Sequence, residues 1–151
     1  KRSNRQLYSC TDSARRRGFF PAGIDTALNA IAALDELKLA LLKAWPPAAA
    51  SSTEQLSTVS PTVFGLDDHP ALGPVELAEV DGVRCLRNVD AVVFGSAVVS
   101  TGARGWALLL GAAPIAWGPF VDVNGVEQGL FLIRAGDTVT IAAESLRIGL
   151  S

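Results

Sequence analysis

From residue 63 onward the chain repeats one pattern: a short apolar or alternating run, then a dipeptide that reverses it. "VELAEVDGVRCLRNV" sets two such runs around Asp81-Gly82, and "FVDVNGVEQGLFLI" sets two more around Asn124-Gly125. Both dipeptides accept the positive φ angles that a tight type I′ hairpin demands. "AVVFGSAVVS", "GWALLLG", "GDTVTIAA" and "SLRIGLS" add further β-rich runs, punctuated by Gly102, Gly105 and Gly136-Asp137. Pro114 and Pro119 flank "IAW", which places that piece at a sheet edge or in a connection, because proline cannot donate to a ladder. Roughly six to nine short strands with regular turn signals predict an antiparallel β-sandwich or barrel, jelly-roll-like, over residues 63–151.

The first part of the chain has a different period. "LDELKLALLKAWPPAAASS" is Leu/Ala-rich and ends at Pro46-Pro47, which forbid continuation of a helix. Read in steps of three and four, Ala27, Ala30, Leu34, Leu37, Leu41 and Ala44 form one seam, and Ile24, Leu28, Ile31, Lys38 and Trp45 form a stripe beside it. A helix is therefore expected over residues 21–45, with Asp25 near its positive end and Lys43 near its negative end. So wide an apolar face must be covered on two sides. It either lies on a sheet of its own domain or meets two like helices in a short trimeric bundle. In the bundle, Ile24, Leu28, Ile31, Leu34, Leu37, Leu41 and Trp45 are the oligomerisation residues. Residues 46–62, rich in Pro, Ala, Ser and Thr with a single charge, read as an extended linker. Such a linker separates helix from body and favours the bundle, since a helix docked on its own sheet is usually joined by about four to six residues.

The net charge of -2 conceals an asymmetry. Lys1, Arg2, Arg5, Arg15, Arg16 and Arg17 crowd the start against Asp12 alone, and the remainder is acidic. Residues 1–20 thus read as a basic arm for attachment to an acidic partner, with Phe19 and Phe20 in "GFFPAG" able to staple it to the helix. The whole chain is 49% hydrophobic and only 19% charged, against about 25% in ordinary soluble domains, which points to association with other chains. The arm has only Tyr8 among its cations and no stacking platform, and the acidic body repels phosphate, so nucleic acid is a poor fit. Asp25, Asp35, Glu36, Lys38 and Lys43 interrupt the apolar run at 24–45, which argues against a membrane span. The arginines are not followed by an apolar core and cleavage site, so no secretory signal is expected within residues 1–20.

Chemistry-bearing patterns are sparse. His69 in "LDDHPAL" is the single histidine, and Asp67-Asp68-His69-Pro70 reads better as a turn than as a metal or catalytic cluster. Ser96 in "FGSAV" lacks the nucleophile-elbow pattern. Asp122, Glu127 and Asp137 fall at hairpin positions. Cys10 and Cys85 have no metal-site spacing and are expected as reduced thiols. No glycine loop precedes a helix to cradle phosphate. No catalytic residue, cofactor or metal is expected. Of the tryptophans, Trp106 is expected in the core, Trp45 at the end of the bundle and Trp117 at the surface.

Basic arm over 1–20, Leu/Ala helix over 21–45, linker over 46–62 and β domain closing with "NGVEQGLFLIRAGDTVTIAAESLRIGL": this order resembles phage virion appendages and decoration proteins. Head fibres, collar and tail fibres of that kind commonly join an attachment peptide, a coiled coil and a β-sandwich in a trimer. The resemblance implies a structural, non-enzymatic component of a virion or similar assembly, made in the host cytoplasm. Other structural proteins would be reached through the arm, and a host glycan or receptor through the β domain. The helix is short for a fibre shaft, which suits a stubby spike or capsid-bound piece. A β-sandwich carbohydrate- or receptor-binding module is the alternative, and a small hydrolase the third reading.

Overall fold

The computed structural model describes residues 19–150 apart from 123 and 125. The basic arm, with Arg2, Arg5, Arg15, Arg16 and Arg17, lies outside the described residues. Of the attachment segment only Phe19 and Phe20 are seen, both exposed, with Phe20 at the N-cap of the first helix.

That helix, α1, spans Pro21–Ala32 and is shorter than its sequence period suggests. Proline at its start has no N–H to leave unsatisfied and a φ already suited to a helix. Ile24, Leu28 and Ile31, one face of the helix, pack on the core, and Leu28 is wholly buried. α1 lies against β2 (Val75–Val80) and β3 (Val83–Asn88), so the stripe is covered within the chain. Asp25 is in the second turn rather than at the N-terminus. Its Oδ1 lies 3.3 Å from Arg84 Nη1, close enough for ionic attraction though not aligned as a hydrogen bond.

The largest departure from expectation follows. Residues 37–42 do not continue the helix. They form β1 (Leu37–Leu42), entered through Glu36, which stands at φ 61° and reverses the chain after the helix. The expected bundle seam is thereby broken: Leu37 and Leu41 are interior positions of a strand, Leu34 is at the surface of the connection, and Trp45 follows the strand. The physical reason is burial on both faces. Leu37, Leu39 and Leu41 point into the main core, whereas Ala40 and Leu42 point into a second, smaller one. A strand buried on both faces shows a continuous apolar run, and periodicity alone does not separate it from a buried helix.

β1 pairs antiparallel with β6 (Gly105–Leu110), and β6 pairs with β7 (Ala113–Pro119), giving the order β1-β6-β7. The Pro-bounded piece is thus an edge strand, one of the two places expected for it. The second sheet has the order β10-β3-β2, with β10 at Arg147–Ile148. Asp81 and Gly82 turn the β2–β3 hairpin with φ 52° and 78°, the two positive values expected of Asp-Gly. Two two-stranded ribbons complete the fold: β4 (Val92–Ser96) with β9 (Thr138–Ile141), and β5 (Thr101–Ala103) with β8 (Phe131–Ile133). Among the described residues the protein is mainly β, with antiparallel pairing throughout and one α-helix.

The segment expected as a linker, 46–62, is instead laid over the outer face of the first sheet. Lys43 N–H donates to the Ser57 carbonyl, Val59 N–H to the Leu41 carbonyl and Thr53 N–H to the Ala112 carbonyl, at 2.8–3.0 Å. Leu56 closes the second core over Ala40, Leu42, Ala107 and Leu109. A low count of apolar residues hid this role, since one leucine between two short 3-10 turns (Thr53–Gln55 and Pro61–Phe64) suffices. The β body accordingly begins at residue 37 rather than 63.

Asn88, at the end of β3, is the one polar side chain in the core among the described residues. Its Nδ2 donates to the carbonyls of Asp90 and Ala142 at 2.8 and 2.9 Å, and its Oδ1 accepts from Leu146 N–H at 2.9 Å. The Asn88 carbonyl also accepts from Glu144 N–H, so one residue fastens the β9–β10 connection to β3. A buried side chain so fully satisfied is stabilising, and removing it strands its partners. Asn88→Ala should lower stability by about 2–4 kcal/mol in denaturant titration, while Arg87→Ala, removing the solvent-accessible, partly buried pairs with Glu76 and Glu144, should change it by less than ~1 kcal/mol.

Candidate interaction surfaces

Two surfaces gather several exposed apolar side chains. The first is built from the β6–β7 ladder and the chain that follows β1. Gly105 and Gly118 lie near each other on that ladder, and a Cβ at Gly105 would stand 2.1 Å from the Gly118 carbonyl oxygen and 3.1 Å from Trp45 Cζ3. A Cβ at Gly118 would stand 2.7 Å from Trp106 Cζ2. The absence of side chains at these two positions lets tryptophan rings approach the backbone closely. Trp106 is buried, as expected from the sequence. Trp117 is 50% exposed and Trp45 41%, and their ring centroids lie 5.4 Å apart at a tilt of 41°. This is favourable tilted packing of two aromatic rings. Trp45 therefore closes no helical bundle; it pairs with the one tryptophan expected at the surface.

A shallow groove of about 230 Å³ runs beside the pair, lined by Pro46, Pro47, Leu56, Pro114, Ile115 and Trp117 among others, with no charged side chain in its wall. Pro46 and Pro47, which the sequence marks as a helix stop, serve here as a rigid wall. Their fixed φ angles hold Trp45 against the sheet with little conformational freedom.

The second surface is the β5–β8 ribbon. Among the described residues no further strand extends it. In β8, Ile133 is buried in the main core, whereas Phe131 is 52% and Leu132 62% exposed; the preceding Leu130 is 51% exposed. Successive strand residues point to opposite faces, so Phe131 shares the inner face with Ile133, and Leu132 lies on the outer face. Leu130 reaches over Gly102, where a Cβ would meet its Cδ1 at 2.9 Å. Val98 and Val99, just before β5, and Val126 in the β7–β8 connection are also more than half exposed. The sequence marks this region as strands around Asn124-Gly125. Gly125 lies outside the described residues, and the connection is held by Asp122 Oδ1, which accepts from Asn124 N–H and Val126 N–H at 2.8 and 3.0 Å.

The residues weighed for chemistry sit apart from both surfaces in role. Asp68 is ion-paired with Lys38 of β1 and accepts from His69 N–H at 2.7 Å; both contacts hold its carboxyl below the usual range. Burial pushes the His69 imidazole down, favouring its neutral form. The Pro70 carbonyl accepts from Leu39 N–H, so the Asp-Asp-His-Pro turn is a fastening for β1. Ser96 Oγ faces Thr138 Oγ1 across the β4–β9 ribbon at 3.1 Å. Asp137 Oδ2 accepts from Arg134 N–H in the turn after β8. Cys85 is buried, which pushes its thiol up and makes it a poor nucleophile. Among the described residues no group of His, Cys, Asp and Glu is arranged to hold a metal, and no helix is long and apolar enough to cross a membrane.

The close glycine contact gives a direct test of the aromatic surface. Gly105→Ala should lower stability by about 1–3 kcal/mol through overpacking and shift the tryptophan emission as Trp45 is displaced. Gly111→Ala, at a position with open space around it, should leave the emission unchanged.

No protein-family model, no curated protein and no solved structure matches this chain.

Proposed function

We propose that this chain is a structural, non-enzymatic subunit of a larger assembly, of the virion type that its sequence layout resembles. The observation that supports the reading best is the β5–β8 ribbon, which carries Leu130, Phe131 and Leu132 into solvent. Exposed apolar area concentrated on one thin element is a feature of surfaces that meet another protein. In this reading the sheets around the main core make a sandwich-like body, and the basic arm over 1–20 attaches it to acidic neighbours. Self-association rests on the β body rather than on a helical bundle, because Leu28, Leu37 and Leu41, three of the four leucines expected in a bundle, are buried inside the chain. If the reading holds, mass spectrometry of particles purified from the producing culture finds the chain in fixed ratio to the major subunit. Recovery in the soluble fraction alone overturns it.

The Trp45–Trp117 pair favours a second role on the same scaffold, recognition of a neutral saccharide on the host surface. An uncharged groove beside two half-exposed indole rings suits the apolar face of a sugar ring better than an anion or a cation, and aromatic side chains are enriched at binding hot spots. Titration of a neutral glycan panel should change the tryptophan emission with one or more members. Trp117→Ala should abolish that change while leaving the melting temperature within a few degrees. An unchanged emission across the panel removes this role.

A further inference from the structure

We infer that the outer edge of β2 is the docking place of this chain's own basic arm, residues 1–18. The inference rests on the reading of that arm as an attachment device and names where it sits before a neighbour is met. Among the described residues the edge is unpartnered, since β2 ends its sheet in the order β10-β3-β2. The two-residue Asp81-Gly82 turn makes Val80 and Val83 a hydrogen-bonded pair, and Val89 N–H donates to the Pro74 carbonyl with the same parity. The backbone N–H and C=O groups of Val75, Leu77 and Glu79 therefore point away from β3. No backbone group among the described residues meets them there. Such an open ladder accepts an extended segment as an added strand.

Charge selects the occupant. Glu76 on this strand is ion-paired with Arg87, whereas Glu79 and Asp81 are exposed and have no ion pair among the described residues. Two such edges set against each other bring like charges together, so a second copy joining edge to edge is disfavoured and a cationic segment is favoured. The chain carries one. Six of its thirteen Lys and Arg residues fall in 1–18 against one of its fifteen Asp and Glu, which leaves the arm at +5 and the remainder at -7. The arm also joins the body at the acidic end of the edge. Asp25 of α1 lies 3.3 Å from Arg84, which is opposite Glu79, whereas Ala32 at the other end of α1 shares a cavity wall with Pro74. α1 thus runs antiparallel to β2 and starts near the Asp81-Gly82 turn. Arg15, Arg16 and Arg17 are within ~14 Å of Phe19 along an extended chain, which puts Glu79 and Asp81 in their reach. A six-residue edge is about 20 Å long, and eighteen residues span up to ~60 Å, so the arm can follow all of it. Tethering holds its local concentration near the mM range and favours its own edge over that of another molecule.

Hydrogen exchange of the full chain, read residue by residue by NMR at ~10–200 µM and low salt, should show the Leu77 and Glu79 amides protected although neither bonds to β3. Replacing Arg15, Arg16 and Arg17 together by serine should speed exchange at those two amides by about tenfold or more, and Glu79→Gln with Asp81→Asn should do the same. Combining the two sets should add little, because both remove one interaction. Salt at ~1 M should reproduce the effect. The Glu76 and Ala78 amides, bonded to β3, should be unmoved in every variant, which separates loss of the arm from loss of the fold. If Asp81→Asn disturbs the hairpin and moves Ala78, Glu79→Gln alone is the second probe. Leu77 and Glu79 amides that exchange freely in the unaltered chain, or that ignore both sets of substitutions, overturn the inference. Protection that rises with protein concentration overturns it too, since that puts the arm on another copy. Free exchange in a chain that enters particles refutes the docking and leaves the structural role standing; a protected edge in a chain absent from particles supports the docking and refutes that role.

Discussion

Burial of β1 on both faces is the constraint from which the rest of the architecture follows. Leu37, Leu39 and Leu41 complete the main core that α1 and the remaining strands enclose, while Ala40 and Leu42 need a cover of their own. That cover is the Pro/Ala/Ser segment with Leu56, and its placement brings Trp45 onto Gly105 and Pro46-Pro47 onto the sheet. The turn containing His69 is tied to β1 from the other side, through the Pro70 carbonyl and through the Lys38–Asp68 pair. Each nominal connection on either side of β1 is thus part of the wall of the body. Removing the strand would open both cores at once.

The tryptophans follow a consistent logic. Small residues on the β6–β7 ladder give the rings access to the backbone from two sides: Trp106 from within at Gly118, Trp45 from without at Gly105. Trp117, with a proline before and after it within β7, completes the outer pair. Pro114 and Pro119 also limit hydrogen bonding along the β7 edge, which makes this edge a poor place for strand addition. The β5–β8 ribbon has the opposite character. Its strands are short and proline-free, and its exposed groups are aliphatic or aromatic on both faces.

The legible parts of the fold were those with local signals. Asp81-Gly82 made its hairpin because both residues take positive φ, and the Pro-bounded "IAW" took the edge-strand option of the two that proline leaves open, edge or connection. The stripe Ile24, Leu28 and Ile31 was a true helix face. Nothing local, however, tells that a helix ending at Ala32 has no glycine stop, or that "LKLALL" is a strand with two inner faces. That distinction depends on β6, whose own run "WALLL" is equally apolar, and on a cover whose one leucine is inconspicuous. Asn88 was missed for a similar reason: its three side-chain partners, Asp90, Ala142 and Leu146, are brought to it mostly by the fold. The Trp45–Trp117 pair joins positions that the sequence assigns to different elements, and only the exposure of Trp117 was foreseeable.

The pairing of β1 with β6 also has a consequence for how the chain reaches its native state. Leu42 is opposite Gly105 and Leu37 opposite Leu110, so every residue of β1 must find a partner more than sixty positions further along. Ladders of such high contact order close slowly, because loop entropy is lost before the contacts form. During synthesis "LKLALL" emerges long before its partner exists, as a β-competent apolar segment with Lys38 as its single charge. Segments of that kind seed aggregation while they wait. Lys38 then does two jobs at different times: a charge that discourages premature strand stacking in the nascent chain, and an anchor for Asp68 once the body has closed.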